Sequence, residues 1–200
     1  MAKITELSQL DMNGTYSYAD YLTWRLEESV ELIKGKIMAM SPAPNVKHQR
    51  IARDLLILID RHLRGKTCEV FIAPFDVKLY DRRKSLLKDQ EAFSVVQPDL
   101  CVICDPGKLT LQGCDGSPDW IIEVLSPGNS KKEARLKFDL YQENGVTEYW
   151  MVHPYEQTVY QFVLDDAGKY QLHALHAGDE IATPYLFPDL QIDLNDVFAE

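Results

Sequence analysis

The hydrophobic residues of this chain follow two patterns, one with the spacing of a helix and one with the spacing of buried strands. In residues 45–64, apolar side chains recur every three or four positions, which predicts an amphipathic helix. Asn45 can cap its first turn, and Gly65 can end it. Capping-box spacing predicts further helices after Ser17 and after Ser130. The pattern therefore gives one long helix and two shorter ones.

Short apolar runs bounded by glycine, proline or acidic residues predict β-strands. The predicted strands span residues 30–33, 36–40, 68–72, 75–80, 95–104, 120–125, 148–152, 158–163 and 170–175. Lys34-Gly35 suits the tight turn of a hairpin between the first two strands. The runs 95–104 and 120–125 contain few polar residues, so we expect them to be central strands that are buried on both faces. Strands that alternate with helices predict an α/β or α+β fold.

Composition agrees with a single domain. The chain has 200 residues, of which 46% are hydrophobic, enough to close one sizeable core. No internal repeat or linker divides it. We expect one domain over residues 1–200, with a core at about 15–165 and an acidic, β-rich C-terminal extension at 166–200.

The net charge of −10 weighs at first against a nucleic-acid partner, because phosphate binding depends on Lys and Arg. The distribution of charge changes that interpretation. Residues 139–200 contain twelve acids and one base, Lys169, whereas residues 1–138 contain nineteen acids and twenty bases. Basic clusters occur at 47–66, 82–88 and 131–137, where they are also typical of solvated faces. The charge therefore leaves a nucleic-acid substrate open.

Four cysteines and the absence of long apolar runs bear on the compartment. No run approaches the roughly 18 apolar residues that cross a bilayer, and residues 1–6 lack the apolar core of a signal peptide. Cys68, Cys101, Cys104 and Cys114 lie in or near predicted strands, which favours reduced thiols over disulfides. We expect a soluble, cytoplasmic protein without a membrane partner. Cys101 and Cys104, three apart in a strand, point to opposite faces and cannot share one zinc ion.

The candidate chemistry lies in two carboxylates next to the central strands. Asp99 precedes the apolar part of one strand, and Glu123 lies near the end of the next. If these strands are antiparallel neighbours, both carboxylates reach the same end of the sheet. Two carboxylates there form a hard oxygen site of the kind that Mg²⁺ prefers. A buried ionised Glu123 must bind a metal or pair with a cation, and Lys137 and Arg135 are the alternative, purely structural partners.

Several motifs occur in an order that resembles a known family. They are Val30-Glu31-Leu32-Ile33-Lys34-Gly35-Lys36-Ile37, Met40-Ser41-Pro42, His48, Gln97-Pro98-Asp99, Ile122-Glu123-Val124-Leu125-Ser126-Pro127, Lys137, Tyr141 and Gly145-Val146-Thr147-Glu148-Tyr149-Trp150. Over about residues 15–165 the chain resembles the Uma-type putative restriction endonuclease family of the PD-(D/E)XK nuclease superfamily. The resemblance implies a restriction-endonuclease-like α/β core, with a central mixed β-sheet flanked by helices and extra β-hairpins. It also implies a metal-dependent phosphodiesterase site.

The resemblance assigns roles to five residues. Asp99 and Glu123 match the two acids, and thus the metal ligands, while the superfamily lysine is replaced by Leu125. Lys137, on the following helix, matches a shifted lysine that positions or deprotonates water and neutralises charge. Glu31 matches an N-terminal acid that completes the cluster. His48 matches a helix histidine that contacts phosphate or water.

Each of three assignments has a structural alternative. Lys137 also suits the surface of an amphipathic helix, and Glu31 can pair with Lys34 or Lys36 in its hairpin. His48 can be a structural histidine. These alternatives remain open at the level of sequence.

The resulting hypothesis is a Mg²⁺-dependent endodeoxyribonuclease, with Mn²⁺ as a possible substitute and DNA as its substrate, active as a homodimer. The rival hypothesis is a noncatalytic nucleic-acid-binding or dimeric assembly protein that associates through a sheet edge and the aromatic strand at Tyr149-Trp150. A hydrolase of another phosphate ester is a third reading. No DNA-reading module is evident, so specificity would come from loops such as 81–94 or from a partner.

Overall fold

The computed structural model describes residues 4–40, 45–80, 94–126 and 131–199. Four α-helices lie in these ranges, together with two single 3₁₀ turns. The helices are α1 (Tyr18–Tyr21), α2 (Val46–Leu63), α3 (Lys131–Asn144) and α4 (Leu194–Phe198). The proposed cap at Ser130 and all but the last residue of the loop at 81–94 lie outside the described residues. None of the described helices is long and apolar enough to cross a membrane.

Fourteen strands occur in the described residues. They are β1 (Val30–Ile33), β2 (Lys36–Ala39), β3 (Glu69–Ile72), β4 (Asp76–Leu79), β5 (Ser94–Val96), β6 (Leu100–Ile103), β7 (Leu109–Thr110), β8 (Gly113–Asp115), β9 (Trp120–Val124), β10 (Glu148–His153), β11 (Thr158–Leu164), β12 (Tyr170–Ala177), β13 (Ile181–Ala182) and β14 (Ile192–Asp193). Twelve of them form two mixed sheets of six, in the orders β2-β1-β5-β4-β8-β7 and β12-β11-β10-β9-β6-β3. The fold is therefore mixed α/β, as predicted. The first of these sheets, which contains the hairpin of β1 and β2, has six strands and is larger than the hairpins that the sequence predicted.

The long helix and the first hairpin form as the sequence predicts. The side chain of Asn45 accepts a hydrogen bond from the backbone N–H of His48, which caps α2. Arg64 ends the helix, and Gly65 follows with a φ of 78°. In the hairpin, Lys34 and Gly35 both have positive φ, as a two-residue turn of this kind requires. The capping box at Ser17 is also present, although α1 has only one turn.

The single strand predicted at 95–104 is two strands in different sheets. β5 pairs with β1 and β4 in the first sheet, whereas β6 pairs with β3 and β9 in the second. The break falls at Gln97-Pro98-Asp99, where proline cannot donate to a ladder. This crossover brings the Pro-Asp motif to the junction of the two sheets.

The second sheet is central because apolar side chains cover both of its faces. On one face, α2 packs against Trp120, Ile122 and Trp150. The C-terminal segment from Ala182 onward, which includes α4, packs on the same face. On the other face α3 packs with side chains of the first sheet, including Val77, around Tyr149. A helix and a sheet layer therefore flank this sheet, and the ends of its strands remain available for a site.

The structure corrects the prediction of four reduced cysteines. Cys68 and Cys104 form a disulfide, while Cys101 and Cys114 are free and buried. Antiparallel pairing of β3 with β6 sets Glu69 opposite Ile103, so the next pair along the ladder is Cys68 and Cys104. Two cysteines 36 residues apart give no local signal of such pairing. As predicted, Cys101 and Cys104 pack on opposite faces of the sheet.

The rival hypothesis of association through Tyr149-Trp150 is wrong about exposure. Both side chains are fully buried, because β10 lies inside the sheet between β9 and β11. Trp150 donates to the buried carboxylate of Glu148, and its ring packs edge-on against Trp120. These two aromatic side chains are part of the core and offer no surface to a partner.

Candidate active site

Asp99 and Glu123 lie next to each other at one end of the central sheet. β6 and β9 are antiparallel neighbours, with Leu100 opposite Ile122, so Asp99 and Glu123 occupy the next positions along the two strands. The Asp99 carboxylate accepts a 2.7 Å hydrogen bond from the backbone N–H of Val124, which fixes its Oδ2 against β9. The geometry that the sequence predicted for these two strands is present.

Lys137 reaches this pair from α3. Its Nζ lies 3.0 Å from Glu123 Oε1 and 3.0 Å from Glu31 Oε1. The side chain is only 9% exposed, so the alternative of a surface lysine is wrong. Burial lowers the pKa of Lys137, but the two carboxylates outweigh burial, and the net shift is upward. The lysine is therefore an ammonium at neutral pH.

Glu31 is held by the site and not by its own hairpin. Its Oε1 accepts from Lys137 and from the backbone N–H of Gln97 at 2.9 Å. Lys34 instead pairs with Glu143, and Lys36 donates to backbone carbonyls before the hairpin. The predicted hairpin partners are thus both engaged elsewhere.

His48 projects from the first turn of α2 towards Asp99. Its Nε2 lies 3.3 Å from Asp99 Oδ2, and the side chain is 7% exposed. Burial lowers the pKa of His48, but the hydrogen bond and the charge of Asp99 outweigh it, so the net shift is upward. Among the described residues, Nδ1 has no hydrogen-bond partner. His48 therefore contacts the acid of the Pro-Asp motif, and its contact with phosphate or water stays a prediction.

Tyr141 and Gln97 belong to the site, although the sequence assigned no role to either. Tyr141 lies one helical turn after Lys137, and its hydroxyl donates a 2.6 Å hydrogen bond to Glu123 Oε1. Gln97 links the motif to the first sheet, because its side-chain amide donates to Asp76 Oδ1. The i, i+4 spacing of a lysine and a tyrosine on one helix face was the available signal.

A cavity of about 320 Å³ opens onto all five predicted residues. Its described lining has four acids and two bases, the acids being Glu31, Asp99, Glu123 and Glu133 and the bases His48 and Lys137. Burial raises the pKa of Glu123; Lys137 opposes this shift, and the charges of Asp99 and Glu31 add to it more weakly. A further positive charge in the cavity would therefore be favourable.

The donor chemistry fits a divalent cation with an open coordination shell. Within the described ranges, no three His, Cys, Asp or Glu side chains form a preformed metal cluster. Mg²⁺ is nevertheless commonly held by one or two carboxylates, with water in its remaining positions. Asp99 and Glu123 are such a pair, because they occupy neighbouring positions at the ends of β6 and β9. The fit is thus to two protein ligands, not three.

Comparison with known proteins places the chain in a family. The family model described as "Uma2: Putative restriction endonuclease" matches residues 18–195. The chain belongs to the Uma2 family. The match includes all five residues that the sequence nominated and also the C-terminal segment beyond residue 165.

Two individual proteins resemble this Uma2 member. Uncharacterized protein slr1290 of Synechocystis sp. is 26% identical over 165 residues, which cover 81% of each chain. A crystal structure of a putative nuclease belonging to DUF820 from Anabaena variabilis superposes with a TM-score of 0.69 at 20% identity, over 92% of this chain and 97% of the other. The structural likeness confirms the nuclease-like fold.

Proposed function

We propose that this Uma2 protein is a Mg²⁺-dependent endonuclease that hydrolyses phosphodiester bonds in DNA. The observation that carries the proposal is the meeting of Asp99, Glu123 and Lys137 at one sheet end, with Lys137 Nζ 3.0 Å from Glu123. Family membership supports nuclease activity in general terms. The metal, the DNA substrate and the residue roles rest on the geometry and on the resemblance to PD-(D/E)XK nucleases.

Asp99 and Glu123 are the proposed ligands of the cation. When bound, a divalent cation neutralises phosphate charge and acts as a Lewis acid on the scissile group. His48 and the Val124 N–H orient Asp99 by holding its Oδ2. Without a cation, the acids lining the cavity would repel a phosphodiester.

Lys137 supplies a positive charge and hydrogen-bond donors to this site. Its raised pKa keeps it protonated, so it orients water and neutralises a phosphoryl oxygen but is a poor base. Glu31 holds the ammonium together with Glu123. The reaction adds one water across one P–O bond and yields a phosphate monoester and an alcohol.

Supercoiled plasmid provides the test. We expect Mg²⁺ or Mn²⁺ to support nicking, and EDTA to stop it. Glu123→Gln preserves the shape of the side chain but removes the charged ligand, and should lower the rate by about 100-fold or more. Glu143→Gln, at an exposed ion pair with Lys34, should act like the parent protein. Nicking by purified Glu123→Gln at the parental rate would refute the assignment and indicate a contaminating nuclease.

Homodimerisation is part of the proposal, because two sites are needed to cut both strands of a duplex. Light scattering with size-exclusion chromatography measures the mass directly, against 22.9 kDa for one chain. A dimer should convert plasmid to linear product, whereas a monomer should accumulate nicked circles. A monomer that yields linear product at once would contradict this part.

A further inference from the structure

We propose that Tyr141 is a positioning residue that fixes the orientation of the Glu123 carboxylate towards the cavity. The proposal rests on the proposed function of Glu123 as a metal ligand and adds a role for a residue that touches neither metal nor substrate. Its hydroxyl lies 2.6 Å from Glu123 Oε1, and its side chain is fully buried.

The two oxygens of the Glu123 carboxylate differ in their hydrogen bonds. Lys137 and Tyr141 both donate to Oε1, and every hydrogen bond recorded for this carboxylate within the described residues goes to that atom. Two donors on one oxygen define the rotation of the carboxylate plane. Oε2 is thereby directed to serve as the ligand oxygen.

Tyr141 lies on the same helix, α3, as Lys137. Residues 137 and 141 lie one turn apart on the same helix face, so one helix delivers a cation and a neutral donor to the same atom. The Tyr141 hydroxyl holds Oε1 without adding charge. Glu123 therefore keeps a fixed orientation when Lys137 turns towards a phosphoryl oxygen.

A buried tyrosine hydroxyl costs free energy unless it is hydrogen-bonded. A buried hydroxyl needs a partner, and a backbone carbonyl can supply one. Tyr170 shows that solution in the same protein, because its hydroxyl donates at 3.0 Å to the Val146 carbonyl. Tyr141 instead donates its hydrogen bond to Glu123, a proposed metal ligand. Outer partners of this kind commonly change metal affinity or activity by about 10- to 100-fold when they are removed.

The test compares Tyr141→Phe with Tyr170→Phe. Each variant removes one buried hydroxyl and keeps the ring, and thermal unfolding verifies that both variants remain folded. Mn²⁺ binding is measured without DNA by calorimetry and by the paramagnetic resonance signal of free Mn²⁺. We expect Tyr141→Phe to bind Mn²⁺ at least about tenfold more weakly and Tyr170→Phe to match the parent protein.

Plasmid nicking at saturating Mn²⁺ then separates affinity from rate. We expect kcat of Tyr141→Phe to stay reduced, because a freely rotating Glu123 misplaces the cation even when it is bound. Equal Mn²⁺ affinity and equal kcat in both variants would overturn the positioning role while leaving the nuclease intact. Absence of Mn²⁺ binding and of nicking in the parent protein would instead refute the proposed function.

Discussion

Lys137 is a buried cation between two buried carboxylates, so its charge contributes to folding as well as to chemistry. Replacing it with methionine keeps an unbranched side chain that is one heavy atom shorter, but leaves Glu31 and Glu123 without their common partner. Breaking a buried pair in this way costs about 3–5 kcal/mol. We expect the free energy of unfolding of Lys137→Met at pH 8 to fall by about 3 kcal/mol.

The sign of the pH dependence follows from Glu123. Burial already raises the pKa of this acid, and loss of Lys137 raises it further. An acid with a raised folded-state pKa binds more protons when folded, so stability falls as pH rises above the unfolded-state pKa. Urea denaturation at pH 5 and pH 8 should therefore show the smaller loss at pH 5. Lys34→Met, at an exposed pair, is the control, and an equal loss at both pH values would contradict the expectation.

Residue chemistry could be predicted where it depended on strand order and not where it depended on side-chain reach. Asp99 and Glu123 follow from two apolar runs that pair in antiparallel fashion. The pairing of Glu31 with Lys137 does not follow from the sequence pattern, because the two residues are 106 positions apart. The hydrogen bond from Tyr141 to Glu123 requires the docking of α3 on β9, which no local pattern encodes.

At the scale of the element, the first turn of α2 connects helix capping to the site. Asn45 caps the backbone N–H of His48, the same residue whose ring contacts Asp99. Asn45→Ala should lower the free energy of unfolding by about 1 kcal/mol. It should also reduce nicking, because the frayed turn no longer holds the imidazole.

Asn45→Asp is the matched variant for this prediction. Aspartate retains a side-chain oxygen that accepts from the helix, and its charge is favourable at a helix N-terminus. Guanidinium denaturation and plasmid nicking should both place it close to the parent protein. If the alanine and aspartate variants behave alike, the cap does not support the site.

Pairing between β3 and β6 makes a chemical prediction about the cysteines. Burial raises the pKa of the Cys101 thiol, and it raises that of Cys114 to about 12, so neither should react with Ellman's reagent in the native protein. Denaturation without reductant should expose two thiols, and reduction four, because Cys68 and Cys104 are joined. Four reactive thiols before reduction would show that the disulfide is absent from the purified protein.

The elements themselves were accessible from sequence to different degrees. Residues 45–64 carry a helical period with a cap at each end, and α2 forms within one residue of the prediction at both ends. The run 95–104 is apolar on both sides of Gln97-Pro98-Asp99, so its pattern gave no sign that β5 and β6 belong to different sheets. Only Pro98 marked the break, and its effect depends on which strands lie beside it. Pairing between distant strands decides such cases.

At the scale of the whole molecule, the buried carboxylate of Glu148 holds the C-terminal segment against the central sheet. Glu148 has no solvent exposure, and its oxygens accept from the Trp150 indole, the Gln161 amide and the backbone N–H groups of Tyr185 and Leu186. Burial raises the pKa of Glu148, although these hydrogen bonds oppose the shift. β10, β11 and the segment after β13 thus meet at one side chain.

The segment that Glu148 fastens also supplies core. Apolar residues beyond position 185 pack with α2 and the central sheet, and they are Leu186, Phe187, Leu190, Ile192, Leu194, Val197 and Phe198. α4 contacts α2 directly. Detaching this segment would expose part of the sheet face that it covers together with α2. We therefore infer that residues 166–200 fold with the rest of the chain as one unit.

Glu148→Ala tests this inference. The variant leaves four N–H donors without their acceptor, and each buried unsatisfied donor costs about 1–3 kcal/mol, so the protein should lose at least about 3 kcal/mol of stability. If the C-terminal segment is integral, tryptophan fluorescence and far-UV circular dichroism should still report one coincident transition at a lower urea concentration. Glu156→Ala, at a partly exposed turn residue, should unfold like the parent protein. Two separate transitions, or tryptic release of the C-terminal segment from a folded remainder, would instead mark it as an appendage.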